Sequence, residues 1–197
     1  MTPTIAKIAY VILAVGWYVL RIPHERRARR TPVASSAKDW RDVLRLLISL
    51  TGLGIIPFIY VAIGWPKFAD YPFRPLQAWL GVGVAVAALC MFWTTHRALG
   101  RNWSVSLELR QGHRLVREGP YRRVRHPMYV AFWLFGVAQA LLLPNLIAGL
   151  SGILGFGTLY FLRVDAEESL MLQQFGDEYR EYMKVTGRLL PKLHAKP

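Results

Sequence analysis

The sequence predicts an all-α integral membrane protein: five transmembrane helices, a structured cytoplasmic loop and a C-terminal amphipathic helix, in one membrane domain over residues 1–197. Three observations predict it. Hydrophobic residues make up 53% of the 197, and mean hydropathy is +0.25 despite a formal net charge of +13. The apolar runs and the arginines occupy separate stretches, as in a membrane protein with basic loops. Apolar spans recur at about 4–20, 43–64, 76–94, 128–143 and 145–162. A helical crossing needs about 20 residues, with about 17 as the lower limit. A nucleic-acid partner would account for the charge but not for the apolar runs, and is excluded as an expectation.

In the first span, from Thr4 to Leu20, only Lys7 precedes the bulk of the apolar run, and the arginines follow it without a small-residue cleavage site. It reads as a retained helix rather than a signal peptide. The second and third spans are long enough to cross unaided. The fourth and fifth are short and separated by Pro144-Asn145, which predicts a tight helical hairpin. Cys90, inside the third span, reads as a small buried apolar residue. Trp17, Trp65, Trp79, Trp93 and Trp103 fall near span ends and read as an interfacial belt.

Charge then sets orientation. In a five-span layout, 22 of the 25 basic residues fall on one side, leaving only Lys7, Lys67 and Arg74 on the other. The positive-inside rule puts the 22 in the cytoplasm, with the N-terminus outside and the C-terminus inside. The block Arg26–Arg30 reads as a charge touching anionic headgroups.

The connection from Leu99 to Tyr129 is too patterned for a linker. Residues 103–109 alternate like a strand, Gln111-Gly112 looks like a turn, and His113-Arg114-Leu115-Val116 has the pattern of a returning strand. Beyond the last span, Asp165–Thr186 predicts a surface helix with Met171, Phe175, Tyr179 and Tyr182 on one face, stopping near Gly187.

Two stretches carry candidate chemistry. Arg163 and Glu167 lie four apart and share a helical face, either as a simple ion pair or as separate ligand-binding groups. A carboxylate holds an ammonium group, and a guanidinium holds a carboxylate bidentately. The loop Arg125-His126-Pro127-Met128-Tyr129 places proline at a helix start, where free backbone N–H groups meet anions. Arg125 alone reads as a headgroup contact and Tyr129 as a belt residue. No dinucleotide fingerprint, phosphate-binding loop or serine-hydrolase elbow is present, and no Cys/His cluster has metal-ligand spacing.

Taken together, His113-Arg114-Leu115-Val116, Gly119-Pro120-Tyr121, Arg125-His126-Pro127-Met128-Tyr129, Glu167-Glu168, Phe175-Gly176-Asp177-Glu178-Tyr179 and Arg188-Leu189-Leu190-Pro191 resemble the isoprenylcysteine carboxyl methyltransferase family, in its compact prokaryotic five-span form. Membrane phospholipid methyltransferases share the Arg-His-Pro-x-Tyr and Glu-Glu parts. The resemblance covers about residues 99–191 and finds no motif in the N-terminal half.

The resemblance implies an S-adenosyl-L-methionine-dependent methyltransferase with its cofactor in a cytoplasmic pocket. His113, Arg114, Leu115 and Val116 would supply a cofactor-contacting strand, and Tyr121, His126, Pro127, Met128 and Tyr129 would wrap the cofactor. Glu167 would hold its amino group, and Arg163 would bind the acceptor carboxylate; these two are the expected catalytic pair. The expected acceptor is isoprenylcysteine-like, enters from the bilayer and is ionised near neutral pH, so the transfer needs no strong base. A phospholipid amine methyltransferase and a non-catalytic, lipid-binding scaffold are the competing readings. The sequence carries no signal for oligomeric state.

Overall fold

The computed structural model describes residues 1–28, 33–36, 40–100, 108–110 and 114–192. Seven α-helices are described: α1 (Pro3–Ala28), α2 (Trp40–Leu50), α3 (Ile56–Ile63), α4 (Pro75–Leu99), α5 (Pro127–Leu142), α6 (Leu146–Phe175) and α7 (Asp177–Val185). Among the described residues, four stretches are long and apolar enough to cross a membrane: Pro3–Arg26, Trp40–Ile63, Pro75–Leu99 and Leu146–Phe175. The helix α5 is apolar but shorter. The chain is an integral membrane protein.

Several helices outrun the apolar spans. The last span does not stop at Leu162: α6 continues through Phe175, so the predicted surface helix is divided between α6 and α7. The run Val164–Phe175 is rich in Ala, Glu, Leu, Met and Gln, which propagate a helix whether or not they are apolar. Gly176, at φ +53°, then ends it with a backbone conformation that disfavours other residues. The second span begins at Trp40 rather than Val43, which brings Asp42 inside α2.

Two ends of the bundle are tied differently. At one end, β1 (Val33–Ser36) pairs antiparallel with β2 (Glu108–Arg110), joining the connections after α1 and after α4. Residues 103–107 of the expected strand lie outside the described residues; its described part, within β2, pairs with β1 rather than with the expected return strand at His113–Val116. His113 lies outside the described residues, and Arg114–Arg117 adopt no regular structure. At the other end, Asn145 caps α6 by accepting from the Ala148 backbone at 2.8 Å. Its amide also donates to the Pro66 carbonyl and to Asp70 Oδ1, at 2.6 and 2.8 Å. The Pro144-Asn145 hairpin is thus present and anchored to the connection after α3.

Between α2 and α3, Thr51–Ile55 forms a π-helical turn. A π turn shifts the usual pairing of the backbone and commonly offers a carbonyl to other groups. The Gly52 carbonyl accepts from Gln139 Nε2 at 3.1 Å and Ser151 Oγ at 2.8 Å. The Leu53 carbonyl accepts from the buried Tyr10 hydroxyl at 2.7 Å. Close approach makes this possible: a Cβ on Gly52 would lie 2.1 Å from the Ser151 carbonyl oxygen.

Two expectations about side chains are corrected. Trp17 is buried rather than interfacial, its ring tilted against Phe92 at 3.5 Å between centroids and flanked by Phe132 and Phe135. Cys90 is exposed, on the stripe of α4 that also turns Val86 and Trp93 outward. Trp65 and Trp79 are exposed as a belt requires.

Candidate active site

The site forms at the end of the bundle where the α4–α5 connection, the end of α6 and the segment after α7 meet. Its backbone frame is a short strap. The Arg125 amide donates to the Gly187 carbonyl at 2.8 Å, the His126 amide to the Arg188 carbonyl at 3.1 Å, and the Gly187 amide to the Arg123 carbonyl at 3.2 Å. Val124 and Gly187 form a parallel bridge. Two motifs about sixty residues apart are therefore held together by main-chain bonds, independent of side-chain identity.

Inside the frame sits Glu168, buried near the end of α6. Its Oε1 accepts from Arg125 Nε at 2.8 Å and faces His126 Nε2 at 3.2 Å. Its Oε2 accepts from Arg188 Nε at 3.0 Å and Nη2 at 2.6 Å. Arg125 also donates to the Thr186 carbonyl, closing the strap over its own guanidinium. Arg125 is thus not a headgroup contact. The hydrogen bonds from Arg188 to Glu168, and to Asp165, hold the Arg188 guanidinium more firmly charged than usual.

Glu167, the neighbouring carboxylate, is differently placed. Successive helical residues point about 100° apart, so only one of the pair faces into the clamp. The Glu167 side chain keeps 34% of its surface exposed, its Oε2 accepts a short hydrogen bond from the Tyr129 hydroxyl, and its Oε1 lies 3.9 Å from His126 Nδ1. His126 stands between the two carboxylates, stacked on the Tyr129 ring at 5.3 Å and 14°. Tyr129 is buried, not interfacial.

Tyr121 lies in a 3₁₀ turn at Gly119–Arg122, half-buried. Burial first, and the nearby Glu167 charge second, push its phenol well above the ordinary value, keeping it a hydrogen-bond donor. Its carbonyl accepts from the Tyr182 hydroxyl at 2.7 Å, which docks α7 on the loop. Pro127 opens α5 and is buried, and Met128 packs partly buried against the core. Leu115 and Val116 are half-buried and Arg114 is exposed.

Arg163 lies one turn before Glu167 on α6 and is buried. Its Nη1 is 3.6 Å from Oδ1 of Asp42, a buried residue of α2. The structure thus brings His126, Tyr129, Glu167 and Tyr121 together, with Arg163 alongside. It adds Arg125, Glu168, Arg188 and Asp42, to which the sequence reading assigned no role in the site. The Glu-Glu and Arg-Leu-Leu-Pro motifs did flag Glu168 and Arg188; nothing local flagged Asp42.

The isoprenylcysteine carboxyl methyltransferase family model matches residues 79–173. A protein-S-isoprenylcysteine O-methyltransferase of Dictyostelium discoideum is 30% identical over 146 residues, 71% of this chain and 60% of that protein. The Homo sapiens enzyme of the same name is 29% identical over 138 residues, 69% of this chain and 48% of that protein. The chain spans about half the length of the curated relatives it matches. The solved structure of the eukaryotic intramembrane Ras methyltransferase superposes with a TM-score of 0.51 at 22% identity, covering 76% of this chain and 51% of that one. Over residues 79–173, which include His126, Tyr129, Arg163, Glu167 and Glu168, the chain is similar to the isoprenylcysteine carboxyl methyltransferase family, and it shares the fold of the solved member.

Proposed function

We propose that this protein is an S-adenosyl-L-methionine-dependent methyltransferase acting on the carboxylate of an isoprenylcysteine-like lipophilic acceptor. One observation carries the reading: of two adjacent carboxylates, Glu168 is consumed by Arg125, Arg188 and His126, while Glu167 stays partly exposed beside His126, Tyr129 and Tyr121. An accessible carboxylate, with aromatic rings and a helix start around it, has the chemistry to receive an ammonium group attached to a nucleoside.

The residues present therefore fit the cofactor. Glu167 would hold its amino group, and Tyr121, His126, Pro127, Met128 and Tyr129, with His113, Arg114, Leu115 and Val116, would line its site. The bound cofactor supplies a methyl group made electrophilic by its sulfonium. Tyr129 fixes Glu167 by hydrogen bonding, and Glu168 fixes Arg125 and His126 in the loop that leads into α5, the helix carrying Tyr129. Arg163 would bind and orient the acceptor carboxylate, so alignment rather than proton transfer dominates.

The proposed setting is a membrane crossed five times, with α5 as the short fourth pass. The N-terminus lies outside, and the strap and active site lie in the cytoplasm. Having β1–β2 and the strap at one end and the Asp70–Asn145 bridge at the other supports that alternation, as does the distribution of basic residues. The helix α7 buries Tyr179 and Tyr182 and turns charged residues outward, as an amphipathic surface helix does. The acceptor's lipid would enter sideways from the bilayer. The test pairs calorimetric binding of S-adenosylmethionine with transfer of a radiolabelled methyl group to an S-prenylcysteine. Glu167→Gln should weaken cofactor binding and Arg163→Ala should cut turnover; wild-type behaviour in both overturns the reading.

A further inference from the structure

Asp42 is a charged residue only 2% exposed, in the first turn of a helix whose neighbours Trp40, Val43 and Leu44 are exposed. Its Oδ1 is 3.6 Å from Arg163 Nη1, well beyond the roughly 2.7–2.9 Å of a charge-assisted hydrogen bond. Neither of its oxygens accepts a hydrogen bond from any described residue. A carboxylate buried for stability alone is normally hydrogen-bonded on both oxygens, because burying it unmet is costly. Glu168 shows what such a satisfied group looks like in this same fold.

Position makes the contrast informative. Arg163 is one helical turn from Glu167, and Tyr129 hydrogen-bonds Glu167. The charges of both Arg163 and Asp42 act on Tyr129. Asp42 therefore borders the candidate site from α2, an element outside the matched family segment of residues 79–173.

We propose that Asp42 is a specificity-determining residue that accepts a hydrogen bond from an N–H on the acceptor's α-carbon, while Arg163 takes the carboxylate on that same carbon. This rests on the proposed function and narrows its substrate class to amino-acid-derived thioethers carrying an N–H. A guanidinium and a carboxylate side by side are complementary to an HN–CH–COO⁻ unit, whose donor and acceptor are likewise adjacent. The guanidinium has five N–H donors, enough to stay with Asp42 and still engage a ligand. A site built to meet an N–H strongly rejects the analogue that lacks it, because its own polar group is then left unmet.

The test uses the full chain in detergent with S-adenosylmethionine and two acceptors: an N-acylated S-prenylcysteine and the matching S-prenylated 3-mercaptopropionate, which lacks the N–H. Wild type should favour the first in kcat/KM by about tenfold or more, mainly through KM. Asp42→Ala should bring the ratio within about twofold of one by raising KM for the first acceptor alone. Asp42→Asn, isosteric and a weaker acceptor, should give an intermediate ratio with cofactor binding unchanged, which guards against a misfolded Ala variant. A ratio that Asp42→Ala and Asp42→Asn both leave at the wild-type value overturns the inference and leaves the proposed function standing. Equal use of both acceptors by wild type does the same. Turnover of neither acceptor overturns both.

Discussion

Arg125 Nε donates to Glu168 Oε1 at 2.8 Å across 43 residues of sequence, with both side chains at least nine-tenths buried. This ion pair joins the loop before α5 to the end of α6, and Arg188 and His126 complete it from the strap and the loop. Removing its acceptor strands a buried guanidinium. Glu168→Ala should therefore cost about 3–5 kcal/mol of stability, the range for breaking a buried pair from one side. Thermal unfolding in detergent measures it, and a change under about 1 kcal/mol would show the clamp to be incidental.

Glu167 lies one residue earlier and should behave oppositely. Tyr129→Phe removes the hydroxyl that fixes its carboxylate. A hydrogen bond to a charged group is worth about 1.5–3 kcal/mol, so cofactor affinity should fall roughly tenfold or more. Calorimetric titration with S-adenosylmethionine checks this. Comparable loss in Tyr129→Phe and in a remote tyrosine variant such as Tyr18→Phe would remove Tyr129 from the site.

Much of this geometry was legible in the sequence, and the rest failed for identifiable reasons. Pro144-Asn145 announced the hairpin because proline ends a helix from its own chemistry. The approach of Glu167 to His126 followed from the combined motifs. Which of Glu167 and Glu168 turns inward did not follow, since it depends on helix rotation set by distant packing. Asp42 was invisible because its partner, Arg163, is 121 positions away and its immediate neighbours are polar enough to read as a connection. Hydropathy marked where lipid contact weakens and not where the α6 backbone stops, so the helix end at Gly176 was missed.

Gly52 tests the packing of the π-helical turn Thr51–Ile55 on α6. A Cβ there would meet the Ser151 carbonyl at 2.1 Å, and main chains cannot yield as a flexible side chain can. Gly52→Ala should destabilise by about 1–3 kcal/mol through overpacking, despite alanine's better helix propensity. Thermal unfolding supplies the number, and a stabilised variant would contradict the close approach.

Alkaline pH should loosen α7 from the loop. Burial, ahead of the opposing pull of Arg125 and Arg117, pushes the Tyr182 phenol up to about 12. The folded state thus favours the neutral phenol. Its contribution is full below the unfolded value near 10 and is lost as pH rises through about 12. Tyrosine absorbance and unfolding followed together from about pH 9 to 12.5 should show this loss, diminished in Tyr182→Phe. An unchanged profile in that variant would place the alkaline transition elsewhere.

Acceptor chemistry gives a separate pH test. A carboxylic acid with a pKa near 3.5 is fully ionised across roughly pH 6.5–8.5, so kcat/KM should be nearly flat there. An amine acceptor would instead gain rate as its proton leaves, approaching tenfold per pH unit. A steep rise in the methyl-transfer assay would favour amine methylation.

The order in which a ribosome delivers this chain has a consequence for its maturation. All the membrane-crossing helices are synthesised before Thr186, Gly187 and Arg188, yet the loop at Arg123–His126 finds its main-chain partners in that late segment. Insertion into the bilayer can therefore be finished while the arginine of the loop still awaits its cover. The polypeptide thus acquires a lipid-facing body first and the backbone cover of its candidate site last.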